Sequence, residues 1–239
     1  MDFEKVCQFL FEAQARGAET VLVTVGAVEG SSMRNPGTIM GVAEDGSYAG
    51  SLSGGCIESA VVAEALDVLR SGAPRVVRFG AGSPYLDIKL PCGGGIDLIF
   101  HPLGAGGFAA ACLGSIRART PLSIVTGTEG VAHVDEWLPP QFDPATGSCT
   151  FGHWPAPLLQ IVGHGAGVEA LASLARTYGC AARILTPDER IIETLNAQGL
   201  AAHFLRRTSQ TELLESDPWT ATIFLFHDHD WEIDLMEQA

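Results

Sequence analysis

From residue 158 onward the chain repeats one unit, an apolar strand followed by an amphipathic helix, and few folds accommodate that rhythm. Residues 158–162 form a largely apolar run, 163–178 a turn and helix, 181–185 a second run and 188–198 a second helix; further runs lie at 201–205 and 222–226. Strands joined through helices lie parallel and are covered on both faces, so they read as near-continuous apolar runs. A doubly wound parallel sheet, a Rossmann-like arrangement, is therefore expected for this half.

The first half has a different grammar. A helix is expected over 3–16, with Phe3, Val6, Leu10 and Ala13 as its buried stripe and Gly17 as its stop. Alternation marks a strand over 20–28, and 38–43 with 47–51 flank Asp45-Gly46 as a hairpin. Ile57, Ala60, Val61, Ala65, Leu66 and Leu69 recur at helical spacing; strands are expected at 75–79 and 96–100, a helix at 105–117 and further strands within 121–135. Residues 138–157 hold five prolines and two glycines with little periodicity, the composition of a linker. The expectation is an α/β protein of two domains, 1–137 and 158–239.

With 46% hydrophobic residues among 239, a substantial core is available. Lys and Arg number 14 against 28 Asp and Glu, and the net charge of −14 disfavours nucleic acid and anionic membrane as partners. Met1-Asp2-Phe3-Glu4 lacks the cationic start of a secretory signal, and no window approaches the ~18 apolar residues of a membrane span, so a cytoplasmic location is expected. The cysteines at 7, 56, 92, 112, 149 and 180 contain no CxxC pair and are expected to be free thiols.

Several short segments carry chemistry. Gly54-Gly55-Cys56 directly precedes a helix, whose N-terminus exposes unpaired amides and partial positive charge. That points to an anion-gripping turn with a reactive or coordinating Cys56; the alternative is a tight turn with a buried thiol. Glu58, in the first helical turn, would contact a ligand or cap the helix. Pro91-Cys92-Gly93-Gly94-Gly95 carries an entropy cost that a plain turn rarely needs, so close backbone approach to a ligand is expected, a bulge or sharp bend being the alternative. Ser31, Ser32 and Arg34, before Pro36-Gly37, offer hydroxyls and a guanidinium suited to phosphate or carboxylate, although the same residue types make ordinary loops.

Gly163-His164-Gly165 follows a strand and opens a helix, the context of a dinucleotide turn. Val168 at the third glycine position, and Thr186 where a ribose-binding acid would stand, count against NAD(P). His227-Asp228-His229-Asp230 follows the last apolar run, where open α/β sheets bind ligands. These histidines could bind metal or transfer protons, or simply belong to a turn; His101 and His164 join them only if the fold brings them close.

Together these segments resemble the xanthine dehydrogenase accessory (XdhC/CoxI) family. The resemblance rests on Gly30-Ser31-Ser32 with Arg34, Pro36 and Gly37; on Gly50-Ser51-Leu52-Ser53-Gly54-Gly55-Cys56 with Glu58; on Cys92-Gly93-Gly94-Gly95; and on Gly163, Gly165 and His227-Asp228-His229 with Asp234. It implies an N-terminal family domain, a C-terminal Rossmann-like domain and a homodimer. It also implies an accessory protein, not a turnover enzyme. Such a protein binds molybdenum cofactor (molybdopterin), protects it while a cysteine desulfurase supplies the terminal sulfur, and helps insert it into xanthine dehydrogenase or a related molybdenum hydroxylase.

On this resemblance Ser31, Ser32, Arg34, Gly54, Gly55, Cys56, Glu58, Cys92, Gly93 and Gly94 would form the pterin or phosphate site, with Cys56 or Cys92 facing molybdenum. Gly163, Gly165, His227 and His229 would be the contacts of the second domain. The chain departs from the family at Ala166, where a His is usual, and at Thr186-Pro187, where Asp-Pro is usual. It also stops soon after His229, so a shortened second domain is expected. The competing expectation is an NAD(P)-dependent oxidoreductase with Gly163 and Gly165 under the pyrophosphate and His227 or His229 as acid/base. A third is a cysteine-nucleophile enzyme that pairs Cys56 with a His.

Overall fold

A computed structural model describes residues 2–32, 34–83, 90, 93–104, 107–127, 130–227 and 229–237; the side chains of Asp2 and His229 fall outside it. The chain divides into two compact units, Met1–Pro155 and Ala156–Ala239. In the first, α1 (Asp2–Ala15), β1 (Thr20–Glu29), β2 (Ile39–Ala43), β3 (Tyr48–Ala49), α2 (Glu58–Ser71), β4 (Arg75–Gly80), β5 (Gly95–Leu103), α3 (Phe108–Ala118), β6 (Leu122–Gly127), β7 (Gly130–Val134), β8 (Gln141–Asp143) and β9 (Ser148–His153) follow one another. They build two antiparallel sheets, ordered β3-β2-β1-β5-β4 and β7-β6-β9-β8.

Residues directly opposite in an antiparallel pair share a face, so register decides which layer each side chain joins. Val21, Val23 and Val25 with Leu98, Phe100, Val77 and Phe79 pack against Val61, Ala65 and Val68 of α2. Leu22 and Ile39 turn the other way, onto Val6 and Leu10 of α1 and Phe108 and Cys112 of α3. Ile99, also on that second face, meets Cys149 and Phe151 of the second sheet. Each such fully buried side chain contributes roughly 1.5–3 kcal/mol, and both faces of the first sheet are covered.

The register also gathers loops. Glu29 lies opposite Gly95, Gly95 opposite Gly80, and Thr24 opposite Ile39, while β3 ends at Ala49 opposite Gly41. The segments 30–38, 50–57 and 81–94 therefore all leave from one end of the first sheet. A bulge between Val25 and Ala27 centres on Gly26, where a Cβ would lie 2.8 Å from the Phe142 ring. Glycine there lets β8 approach β1 closely.

Residues 138–157, expected as a linker, instead carry β8 and β9, and β9 pairs with β6 from Leu122↔His153 to Thr126↔Cys149. Pro139, Pro140 and Pro144 flank β8, an edge strand whose outer side needs no ladder donor. Asp143 and Gly147 make the intervening turn, the Asp143 carboxylate accepting from the Ala145 amide at 2.9 Å and the Thr146 hydroxyl at 2.8 Å. What looks like linker chemistry is hairpin chemistry.

The second unit contains β10 (Leu158–Gly163), α4 (Ala166–Tyr178), β11 (Ala181–Thr186), α5 (Glu189–Ala197), β12 (Ala202–Phe204), β13 (Thr220–Leu225) and α5's short successor α6 (Ile233–Met236). Its sheet is parallel, ordered β12-β11-β10-β13. Val168 and Ala172 of α4 and Ile191 and Leu195 of α5 bury against Ile161 and Ile184. Asp188 caps α5 by accepting from the amides of Arg190 and Ile191. The chain is thus a mixed α/β protein with antiparallel sheets in one unit and a parallel sheet in the other. Among the described residues, no helix is long and apolar enough to cross a membrane.

Ser123, fully buried on β6, donates to the Glu136 carbonyl and accepts from the Leu138 amide, each at 2.7 Å. Ser123→Ala strands both groups, and urea unfolding should show a loss of about 1–3 kcal/mol with an unchanged m-value.

Candidate functional site

The segment 50–57 is built around one carboxylate. Glu58 is 5% exposed, and its Oε1 accepts from the Ser51 hydroxyl (2.8 Å) and the amides of Leu52 (3.1 Å) and Ser53 (3.0 Å). Its Oε2 accepts from the Ser53 hydroxyl (2.7 Å) and the Ile57 amide (3.2 Å). The two hydroxyls act in turn as acceptors, Ser51 from the Gly54 amide and Ser53 from the amides of Cys56 and Ile57. Burial by itself would raise the Glu58 pKa, but the hydrogen bonds from Ser53 and Ser51 and from backbone amides outweigh it and bring it down to about 2.

This differs from the expected anion-gripping turn. The amides of 52, 53, 54, 56 and 57 point inward to Glu58 and the two serines, and both Glu58 oxygens are committed to the loop. Gly54 and Gly55 hold φ of 78° and 110°, conformations that favour glycine, and a Cβ at Gly55 would meet nothing within 4 Å. Helix α2 begins at Glu58 with Ile57 as its N-cap, so Cys56 lies just outside the helix, exposed. The loop is a rigid mount that turns one thiol outward.

The second glycine segment reaches the same end of the sheet. A Cβ on Gly94 would lie 2.5 Å from the Glu29 carbonyl oxygen and 3.1 Å from that of Ser31. Gly94 serves close approach between backbones. Arg78, which sequence reasoning passed over, clamps this corner: its guanidinium pairs with Glu29 and with Asp97 and donates to the Ala81 carbonyl at 2.7 Å. Only its place at a strand end could have signalled it. Gly93 has φ of 71°, and Cys92 lies outside the described residues.

Ser32 closes a small turn, its hydroxyl donating to the Arg34 carbonyl (2.9 Å) and accepting from the Arg34 amide (3.1 Å). Ser31 is exposed. Arg34 lines a cavity of about 490 Å³ together with Phe3, Trp137, His153 and Trp154. The cavity includes Phe3 and Ile39, which belong to the α1-side core, whereas Leu52 and Ile57, which anchor the Cys56 loop, lie in the α2-side core. Arg34 and Cys56 are therefore mounted on opposite faces of one sheet. Trp154 and His153 fell within the stretch read as a linker and Trp137 just before it, although two tryptophans bracketing a proline-rich stretch are a signal in themselves.

In the second unit, Gly163 ends β10 and a Cβ there would lie 2.4 Å from the Leu225 carbonyl oxygen; Gly165 (φ 82°) precedes α4. The His164 and His227 rings come within 5.6 Å of each other, at the carboxyl ends of β10 and β13. His229 opens a short 3-10 helix, and Asp234 accepts from the Thr208 hydroxyl. Thr186 is buried, and its hydroxyl accepts from the Asp188 amide at 3.2 Å. His101 is buried in β5 of the first unit, its Nε2 3.3 Å from the Gly127 carbonyl.

Ser115, His133 and Asp135 also meet, but Ser115 and Asp135 both approach His133 Nε2. Among the described residues no group orients the ring from its other nitrogen as a nucleophilic triad requires, and the cluster fastens α3 to the end of β7. Among the described residues, no group of three or more His, Cys, Asp or Glu is placed to hold a metal ion.

A model of the XdhC and CoxI family matches residues 13–80. Across 240 aligned residues and 100% of this chain there is 34% identity to the molybdenum cofactor insertion chaperone PaoD of Escherichia coli K12, of which the chain spans 69%. The fold is similar to that of a xanthine dehydrogenase from Bacillus halodurans, with a TM-score of 0.71 at 20% identity over 97% of this chain and 77% of that one. At that identity the likeness is one of fold.

Glu58→Gln removes the charge that organises segment 50–57. The depressed pKa stabilises the fold fully above about pH 4.5 and ceases to do so as pH falls toward 2. Urea unfolding at pH 7 should show the variant weaker by on the order of 3 kcal/mol, and the gap to wild type should narrow progressively below pH 4.5.

Proposed function

The chain belongs to the XdhC and CoxI family, and from that membership we propose that it is a maturation factor for a molybdenum hydroxylase. Its cargo is molybdenum cofactor, held during sulfuration by a cysteine desulfurase and then inserted into a client such as xanthine dehydrogenase. The observation that carries this proposal is the outward thiol of Cys56 on a mount already satisfied by Glu58, Ser51 and Ser53, in a chain similar along its whole length to an insertion chaperone.

A soft thiolate suits molybdenum, and a loop that has settled its own amides can present the sulfur without rearranging. Glu58 then acts as a positioning residue. Cys92, next to Gly93 in the sequence, is the second thiol we assign to the cargo. The parallel β12-β11-β10-β13 order of the second unit supports reading it as Rossmann-like. We assign Gly163, Gly165, His227 and His229 to its strand-end crevice as secondary contacts. Self-association as a homodimer belongs to the same proposal.

Loading purified protein with molybdenum cofactor and measuring retained molybdenum and pterin tests it. Cys56→Ala should retain roughly ten- to a hundredfold less molybdenum, while Cys180→Ala in the second unit retains as much as wild type. Equal retention by Cys56→Ala, Cys92→Ala and their double variant would remove the thiol role.

A further inference from the structure

Helix α4 has two unlike faces. Val168, Ala172 and Ala175 point into the core of the second unit, while Ala166, Gly167, Ala170, Leu174, Thr177 and Tyr178 lie on the exposed side. We propose that this exposed face is where two copies of the chain meet, their α4 helices packed antiparallel across a two-fold axis. The surface gives a place and a geometry to the self-association put forward above, and rests on that reading.

The face carries no charge. At about 3.6 residues per turn, Glu169 and Arg176, the two charged side chains of α4, fall together on one flank. Thr177 donates its hydroxyl to the Ser173 carbonyl at 2.9 Å, so that polar atom is spent inside the helix. The outer side of a surface helix ordinarily presents charged and polar residues. Here Leu174 and Tyr178, one turn apart, stand 63% and 87% exposed. In a chain of net charge −14, an uncharged face is where two copies approach with least repulsion. Ile233 and Met236 are exposed as well, but α6 is a single turn and carries Asp234 between them.

The face is also complementary to itself. Its small residues, Gly167 and Ala170, lie in the N-terminal half of α4, and its large ones, Leu174 and Tyr178, in the C-terminal half. Across a two-fold axis, if residue i meets residue j then j meets i. Antiparallel pairing about the level of Ala172 sets Leu174 over Ala170 of the second copy and Tyr178 over Gly167 of the second copy, at both ends at once. Large side chains then fill the space that small ones leave, as packed helices require. The same axis sets Glu169 beside Arg176 of the second copy, an opposite-charge pair made twice at the rim. Arg176 donates to the Gln198 carbonyl at 2.7 Å through one nitrogen, and a guanidinium has further N–H donors to offer. Parallel pairing would set Tyr178 against Tyr178 and leave a gap at Gly167.

A helix of 13 residues is about 20 Å long. Two of them bury less than the roughly 1,200–2,000 Å² of a standard interface, so a dimer of micromolar affinity is expected. Sedimentation velocity of the full chain from about 1 to about 200 μM tests it. Leu174→Glu and Tyr178→Ala should each weaken the dimer about tenfold or more. Glu169→Arg should weaken it several-fold, and Glu169→Arg combined with Arg176→Glu should restore it. Phe11→Glu, at an exposed apolar residue of α1 in the first unit, should leave it unchanged. All these side chains lie at the surface, so circular dichroism of each variant should match wild type.

A chain that stays monomeric throughout overturns both this surface and the self-association put forward above. A dimer that Leu174→Glu and Tyr178→Ala leave intact overturns the surface alone, as does equal weakening by Phe11→Glu. A dimer weakened by Leu174→Glu but not restored by the charge exchange overturns the antiparallel pairing.

Discussion

The pairing of β1 with β5 is the constraint on which the first unit depends. Nine residue pairs run from Thr20↔Leu103 to Glu29↔Gly95, interrupted by one bulge at Gly26. Because side chains alternate strictly, this register assigns Val21, Val23 and Val25 to α2 and Leu22 to α1 and α3. A slip by one residue would exchange the two layers. The same register sets Glu29 beside Gly95 and Gly80, and so gathers the serine segment, the Cys56 segment and the second glycine segment at one end.

At that end the chemistry is arranged around anions of the protein itself. Glu58 replaces an external anion as the partner of five donors, and Glu29 with Asp97 holds Arg78 across the strand ends. Loops of this glycine content would be mobile if they relied on backbone alone. The Glu58 carboxylate ties the Cys56 loop through its hydrogen bonds, and a loop so tied can carry a side chain at defined geometry. The thiol of Cys56 is what such a loop has left to offer.

The two faces of the first sheet carry different equipment: the Cys56 loop anchored in the α2-side core, and an aromatic cavity with Arg34 and His153 on the other. In the second unit the strand ends bring His164 and His227 together.

Much of the architecture was legible in the residues. The stripes of α1, α2, α4 and α5, the alternation of β1 and the apolar runs of β10 and β11 all state burial locally, because each needs only its own period to be read. The stretch 138–157 misled because edge-strand prolines and turn glycines have the same composition as a linker, and only pairing with β6 tells them apart. Glu58 stood at a position that allowed either ligand contact or capping. Its role followed from where Ser51 and Ser53 fold back, a contact across five to seven residues that no periodicity encodes.

By itself, then, the sequence determined most of the helices and strands, the parallel alternation of the last third, and the segments rich enough in glycine, serine and cysteine to carry chemistry. Those are properties of local period and residue type. The tertiary structure decided that the amides of the cysteine loop face inward, that Arg34 and Cys56 stand on opposite faces of one sheet, and that Arg34 shares a cavity with His153 and two tryptophans more than a hundred positions away. Those are matters of register and of long-range contact, and a hydrogen bond or a shared cavity has no signature until the strands that bring its members together have paired.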